Sequence, residues 1–197
     1  MSRLSAYYRI LGELGRERAE TIPSKRLAAR AGVTPAQVRK DLSFFGNFGR
    51  RGLGYNVLQL REEIAAILGL GRRWRVALLG AGNLGHALFA YREFEKHGFF
   101  IEHVFDIDPN KVGTSWRGQE IAHISELPRR AADTGIDIAI VAVPAEAAQA
   151  VVDIAVGAGI RAVLNFAPAK VVVPDNVALR EVDLSITLES LSYALVK

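Results

Sequence analysis

The chain has 197 residues, half of them hydrophobic and 23% charged, with no cysteine and a formal net charge of +4. That length suits one ample core or two small ones, and the composition is ordinary for a soluble globular protein. The absence of cysteine excludes disulfides and thiolate metal sites, no apolar run approaches the roughly 18 residues of a membrane span, and the first twenty residues mix arginine with glutamate instead of forming a secretory signal.

The expectation is a cytoplasmic protein without membrane or metal partners. Its charge is uneven. Residues 1–75 hold 15 Lys and Arg against 6 Asp and Glu, whereas residues 76–197 hold 10 against 15. A basic front segment beside an acidic remainder predicts two modules, the first of which meets nucleic acid.

In "SRLSAYYRILGELG", Leu4, Tyr7, Tyr8, Leu11 and Leu14 recur at helical spacing and predict an inward face. Ser24 is placed to cap a short helix, "KRLAARA", which Gly32 ends. "TPAQVRKDLSFFG" then opens with Thr34 as N-cap, Pro35 at the first helical position and Gln37 completing a capping box. Two short helices around a tight turn form a helix-turn-helix. With Val38, Leu42 and Phe45 inward, Gln37, Arg39, Lys40 and Ser43 are left to face DNA, and Ser24, Lys25 and Thr34 are further candidates for DNA contact. The glycine-rich "FGNFGRRGLGYNV" predicts a wing hairpin anchored by Phe48, Leu53 and Tyr55 and carrying Arg50 and Arg51 toward a minor groove. "VLQLREEIAAILGL" closes this winged helix-turn-helix domain, residues 1–73, with Leu60, Ile64, Ile67 and Leu68 on one side.

Residues 74–184 predict a Rossmann-like, doubly wound parallel sheet. A short strand ends in Gly80-x-Gly82-x-x-Gly85, followed by a helix over "NLGHALFAYREFEKHG". Gly80 permits the turn, Gly82 lets backbone approach a pyrophosphate, and Gly85 lets helix pack on strand. The phosphates of a dinucleotide then rest on the amides at the helix start. "FFIEHVFDID" ends in Asp106, 21 residues after Gly85, where a carboxylate accepts from ribose hydroxyls and favours NAD over its 2′-phosphorylated form. Further strands are expected near Glu120–His123, in "DIAIVAVP", in "RAVLNFAP" and near Val177–Leu184. Val143, Pro144, Asn165 and Phe166 would then line the ligand crevice beyond the strand ends.

The four histidines assemble no acid or base, and the span after the last expected strand holds no substrate lobe. A nucleotide beside a DNA-binding module therefore reads as a signal. Residues 185–197 predict a helix, and Leu184, Leu188, Leu191 and Leu195 give the tail a stripe that packs on its own sheet or on a second subunit. A dimer would also match a palindromic operator. Three other readings stay open at this point: a small NAD-dependent oxidoreductase, a winged-helix regulator sensing coenzyme A or ATP, and a DNA-binding protein without a ligand.

"QVRKDLSFFGNFGRRGLGYNV", "GAGNLGHAL", "FDIDPNKVG", "VPAEAAQAVVD" and "GIRAVLNFAP" resemble, in order, the bacterial Rex family of redox-sensing repressors. The resemblance implies a homodimeric, non-enzymatic repressor that NADH releases from its operator and that NAD+ leaves bound, typically over genes for NADH reoxidation in respiration or fermentation. It implies a C-terminal helix exchanged between subunits. It also implies that Gly80, Gly82, Asn83, Leu84 and Gly85 cradle the pyrophosphate, with Ala81 also at the coenzyme site, that Asp106 holds the ribose, and that Tyr91 and Asp183 lie near the nicotinamides.

Overall fold

In the computed structural model, which describes residues 2–50 and 53–196, the chain divides into the units Met1–Arg72 and Arg73–Lys197. Arg51, expected in the wing, lies outside the described residues.

The first unit contains α1 (Ser2–Arg16), β1 (Thr21–Ile22), α2 (Ser24–Ala31), α3 (Pro35–Ser43), β2 (Gly49–Arg50), β3 (Gly54–Asn56) and α4 (Val57–Ile67). Leu4, Tyr7, Leu11 and Leu14 of α1 join Leu27, Val38, Leu42, Leu60 and Ile64 in one core. Burying each such side chain contributes about 1.5–3 kcal/mol. The helix-turn-helix bend is made by Gly32, which caps α2 in the left-handed conformation at φ 66°. Thr34 then caps α3 by accepting from the Gln37 amide at 3.2 Å.

Four local expectations are corrected. Pro23, not Ser24, is the α2 N-cap, and it makes no side-chain bond. The capping box is half formed, because the Gln37 side chain turns to the Asp41 carboxylate at 2.6 Å; a charged acceptor outbids a backbone amide's demand. Phe45 falls beyond the end of α3 and is exposed, so Val38 and Leu42 alone make the inward stripe. Leu53 is exposed rather than an anchor, while Tyr55 is buried and Phe48 packs on the core.

The wing is a three-stranded antiparallel sheet in the order β1-β3-β2. Its base requires glycine at position 54: φ is +84°, and a Cβ there would meet the Ile22 carbonyl oxygen at 2.5 Å.

The second unit contains β4 (Trp74–Leu79), α5 (Asn83–Ala90), α6 (Glu93–Lys96), β5 (Phe99–Asp106), β6 (Ser115–Trp116), β7 (Gln119–His123), α7 (Leu127–Thr134), β8 (Ile138–Val141), α8 (Ala148–Gly157), β9 (Ala162–Asn165), β10 (Ala178–Glu181) and α9 (Leu184–Val196). The sheet runs β10-β9-β8-β4-β5-β7-β6, all pairs parallel except the β6–β7 hairpin. Set that hairpin's edge strand aside and the order is that of a doubly wound dinucleotide-binding sheet. Side chains alternate across it: Ala77, Leu79, Phe105, Ala139 and Val163 face α7 and α8. Val76, Leu78, Val104 and Ile140 face Leu88 and Phe89 of α5.

Two features depart from the pattern read along the sequence. The helix expected to continue through "AYREFEK" breaks at Tyr91, whose backbone is extended (φ −79°, ψ 93°) and whose ring packs edge-on against Phe94. The β6–β7 turn places Arg117 in the left-handed region at φ 51°, a position that glycine or asparagine fills more readily.

α9 forms over the expected leucine stripe, and that stripe is exposed. Leu184, Leu188, Leu191 and Leu195 are 58–88% exposed.

Candidate functional site

The parallel strands bring their carboxyl ends to one rim. Leu79 lies in register with Phe105 and with Val141, and Val141 with Asn165. Gly80, Asp106, Val143 and Phe166 therefore leave neighbouring strands together.

The glycine turn after β4 is shaped by contacts on two sides. Gly80 has φ +105°, and a Cβ on it would overlap the Ala142 carbonyl and lie 2.9 Å from Val143 Cγ1. A Cβ on Gly85 would overlap the Gly80 carbonyl. These two glycines are needed for the chain to close on itself. Gly82 is different: it has no neighbour within 4 Å of its would-be Cβ. It is the N-cap of α5, and no side chain caps that helix. The first amides of α5, those of Asn83, Leu84 and Gly85, thus have no intrahelical partner. Uncapped amides at a helix start, with the positive end of the helix dipole behind them, attract an anionic phosphate.

Asp106 sits beside this turn with a nearly buried side chain. Its Oδ2 accepts from the Ala81 amide at 2.7 Å, and its Oδ1 accepts from the amides of Ile107 (2.8 Å) and Asp108 (2.9 Å). Lys111 Nζ adds a fourth donor at 3.3 Å to Oδ2. Burial works to raise the Asp106 pKa, but the amides of Asp108 and Ala81 together with Lys111 outweigh it and hold the carboxyl below its usual range. With about four acceptor positions on a carboxylate, a further hydroxyl donor would have to share with or displace the Lys111 ammonium. Lys111 was not singled out from sequence; its spacing from Asp106 matches no regular period, and only the turn at Asp108–Asn110 folds it back.

Val143 and Pro144 follow β8 at the same rim, with Val143 against Gly80 and Pro144 exposed. The Asn165 side chain is buried and used internally, donating to the Ala169 carbonyl and accepting from the Ala167 amide, both at 2.9 Å. It shapes the crevice floor through that loop; its amide group is already engaged. Phe166 packs on the α5 face of the sheet. Tyr91 and Asp183 stand apart from the turn. Eight residues of helix carry Tyr91 about 12 Å along α5 from Asn83. There it lines a cleft of about 380 Å³ with Phe94, Phe99 and Ile101 near the amino ends of the strands. Asp183 caps α9 by accepting from the Ser185 amide at 2.8 Å.

On the first unit, the outer surface of α3 is the candidate nucleic-acid interface. Asp41 organises its inner flank. Arg3 donates to both carboxylate oxygens at 2.6 and 2.8 Å, Tyr7 donates at 2.9 Å, and Gln37 at 2.6 Å. The Arg3 bonds hold the Asp41 pKa far below its ordinary value, while burial and the same carboxylate push Tyr7 up to about 12. Gln37 is therefore tied along α3 to Asp41, which in turn holds Arg3 and Tyr7 of α1. Arg39 donates to Ser24 Oγ at 3.2 Å, linking the two helices of the helix-turn-helix. Ser43 donates to the Lys40 carbonyl at 3.0 Å. Lys40, Lys25 and Thr34 are exposed. Between α3 and the wing lies a cleft of about 510 Å³ whose walls include Ser24, Arg39, Ser43, Asn47 and Tyr55. The backbone of Arg50 forms part of β2. Phe44, unremarked in the sequence, is the most exposed aromatic of this surface.

Among the described residues, no cluster of His, Asp and Glu could hold a metal ion, and no helix is long and apolar enough to cross a membrane.

Comparison with known proteins agrees with both halves. The family described as "CoA binding domain" matches residues 71–169, and the one described as "Putative DNA-binding protein N-terminus" matches residues 1–43. A redox-sensing transcriptional repressor Rex of Desulforamulus reducens is 47% identical over 99% of this chain and 93% of its own length. That of Carboxydothermus hydrogenoformans is 47% identical over 98% and 93%. The solved structure of RSP in complex with β-NAD+ and operator DNA superimposes with a TM-score of 0.94 at 41% identity, covering 98% of this chain and 89% of the other. RSP in complex with β-NADH gives 0.89 at 40%, covering 98% and 91%. The chain belongs to the Rex family of redox-sensing transcriptional repressors.

Proposed function

We propose that this protein is a cytoplasmic, homodimeric repressor that binds a palindromic operator and is released from it by NADH. The observation that carries the reading is the pairing of an uncapped helix start, unobstructed over Gly82, with a basic helix-turn-helix in the same chain. The amides of Asn83, Leu84 and Gly85 would hold the pyrophosphate, and Asp106 with Lys111 the adenosine ribose. The bound coenzyme supplies a nicotinamide that is cationic when oxidised and neutral when reduced. Everything else is the work of the chain.

The exposed stripe on α9 supports the dimer, because an apolar helix of this kind is stable only when covered. We assign the cover to the partner subunit, by helix exchange. Asp183 at the start of α9 then travels with the exchanged helix, and we assign it with Tyr91 to the nicotinamide end of the site. A carboxylate there distinguishes a cationic ring from a neutral one. Moving a dimer from 1:99 to 99:1 between two states needs about 5.5 kcal/mol of differential binding, which two coupled sites can share. The spacing of the two recognition helices is the quantity such a change would alter.

A second reading has one observation in its favour: residues 71–169 match the family described as a coenzyme A binding domain. Thermal-shift titrations of the protein with NADH, NAD+, NADPH, coenzyme A and ATP decide between them. Stabilisation by NADH at micromolar concentration and none by coenzyme A supports the redox sensor; the reverse order rejects it. Steady oxidation of NADH with a small carbonyl compound would reject the repressor reading in favour of a dehydrogenase.

A further inference from the structure

Phe44 follows the last residue of α3, and its amide still bonds the Lys40 carbonyl, so it continues the helix by one position. One turn earlier on the same side stands Lys40. The ring is 84% exposed. It stands edge-on to Phe45 with ring centroids 5.1 Å apart at 78°, a contact that holds it in place on the surface. The core of the unit is closed without it, and Leu42 ends the inward stripe.

A large exposed aromatic one turn beyond Lys40, on a helix that also carries Arg39, calls for an occupant that is anionic around an apolar spot. A second copy of this basic unit would bring cation against cation. Duplex DNA supplies phosphate for Lys40 and Arg39, and its major groove offers one apolar base group, the 5-methyl of thymine. Resting on the repressor reading, we propose that Phe44 is a specificity-determining residue whose ring packs on a thymine methyl in each operator half-site. The recognition helix would then read by shape at its carboxyl end, while its charged side chains meet phosphate. This also suits the internal engagement of Gln37, which leaves fewer free polar groups to read base edges.

The test uses the full-length protein and a duplex selected by it from random sequence, with thymine replaced by uracil one position at a time. The parent protein is expected to lose about fourfold in affinity at each thymine of one symmetry-related pair, the worth of one buried methyl group. Phe44→Ala should bind the thymine duplex more weakly, be indifferent to that uracil, and keep the parent's salt dependence and melting temperature. Phe44→Tyr, which keeps the ring, should keep the uracil response. Equal uracil responses in the parent and Phe44→Ala overturn the inference while leaving the repressor reading intact, as does a Phe44→Ala protein that changes oligomeric state without DNA but not its uracil response. Failure of the parent protein to select any sequence overturns both.

Discussion

Gly80 and Gly82 sit two residues apart in one turn, yet a methyl group added to each should damage different properties. At Gly82 the backbone φ is −82° and nothing lies within 4 Å of the new Cβ. The only folding cost of Gly82→Ala is the poorer helix cap, below about 1 kcal/mol, or a shift in Tm of at most about 3 °C. On the proposed reading, the same methyl would stand where the pyrophosphate would meet the amides of α5. Losing one charge-assisted hydrogen bond there removes about 1.5–3 kcal/mol, so NADH binding should weaken by roughly 10- to 100-fold. At Gly80 the Cβ meets left-handed strain and the Ala142 carbonyl at once. Gly80→Ala should therefore cost about 2–4 kcal/mol and lower Tm by roughly 6–12 °C even without ligand. Differential scanning calorimetry of the free proteins and titration calorimetry with NADH separate the two effects. A Gly82→Ala protein that binds NADH like its parent, or that melts as early as Gly80→Ala, would refute the reasoning.

Asp41→Asn removes a carboxylate whose folded pKa is depressed, chiefly by Arg3. Its stabilising effect is present above the unfolded carboxylate value of about 3.9 and fades as pH falls below it, so urea midpoints of variant and parent should differ at pH 7 and converge in acid. His103 is buried, with Nε2 against Thr134 and Nδ1 without a partner, and burial followed by Arg130 lowers its pKa. The unfolded chain therefore takes up more protons than the folded one below about pH 6.5, and stability should drop there. In His103→Leu that component of the pH dependence should vanish. Removing residues 184–197 takes away the exposed stripe of α9 and should leave a monomer by sedimentation velocity; a retained dimer would reject the exchanged helix.

Why some features were readable along the chain and others were not follows from the range of the forces involved. Gly32, Thr34 and Pro35 announce a turn and a helix start through steric and hydrogen-bonding demands that span three or four residues, and both elements form there. The strand alternation around Gly80–Gly85 and Asp106 likewise reflects local sterics plus a burial pattern of period one, because both faces of a parallel sheet are covered. The Gln37–Asp41 bond was within reach of sequence reasoning, since the pair is spaced i, i+4 on a helix. The Arg39–Ser24 bond was not: it depends on the angle between two helices. Lys111 is brought to Asp106 by a turn with no periodic signature, and Arg117 occupies a left-handed position that its residue type does not advertise. The break at Tyr91 was hidden inside a helical pattern; aromatic packing on Phe94 accompanies it. The stripe of α9 was visible, but its cover belongs to no part of the described chain.

The central claim is that the coenzyme is read as a signal through its oxidation state. Operator occupancy, followed by fluorescence anisotropy at fixed total coenzyme while the NADH fraction is swept from zero to one, addresses it directly. The account predicts full occupancy with NAD+ alone and cooperative release as NADH rises. Occupancy that stays flat across the sweep, with calorimetry showing both forms bound, would contradict it.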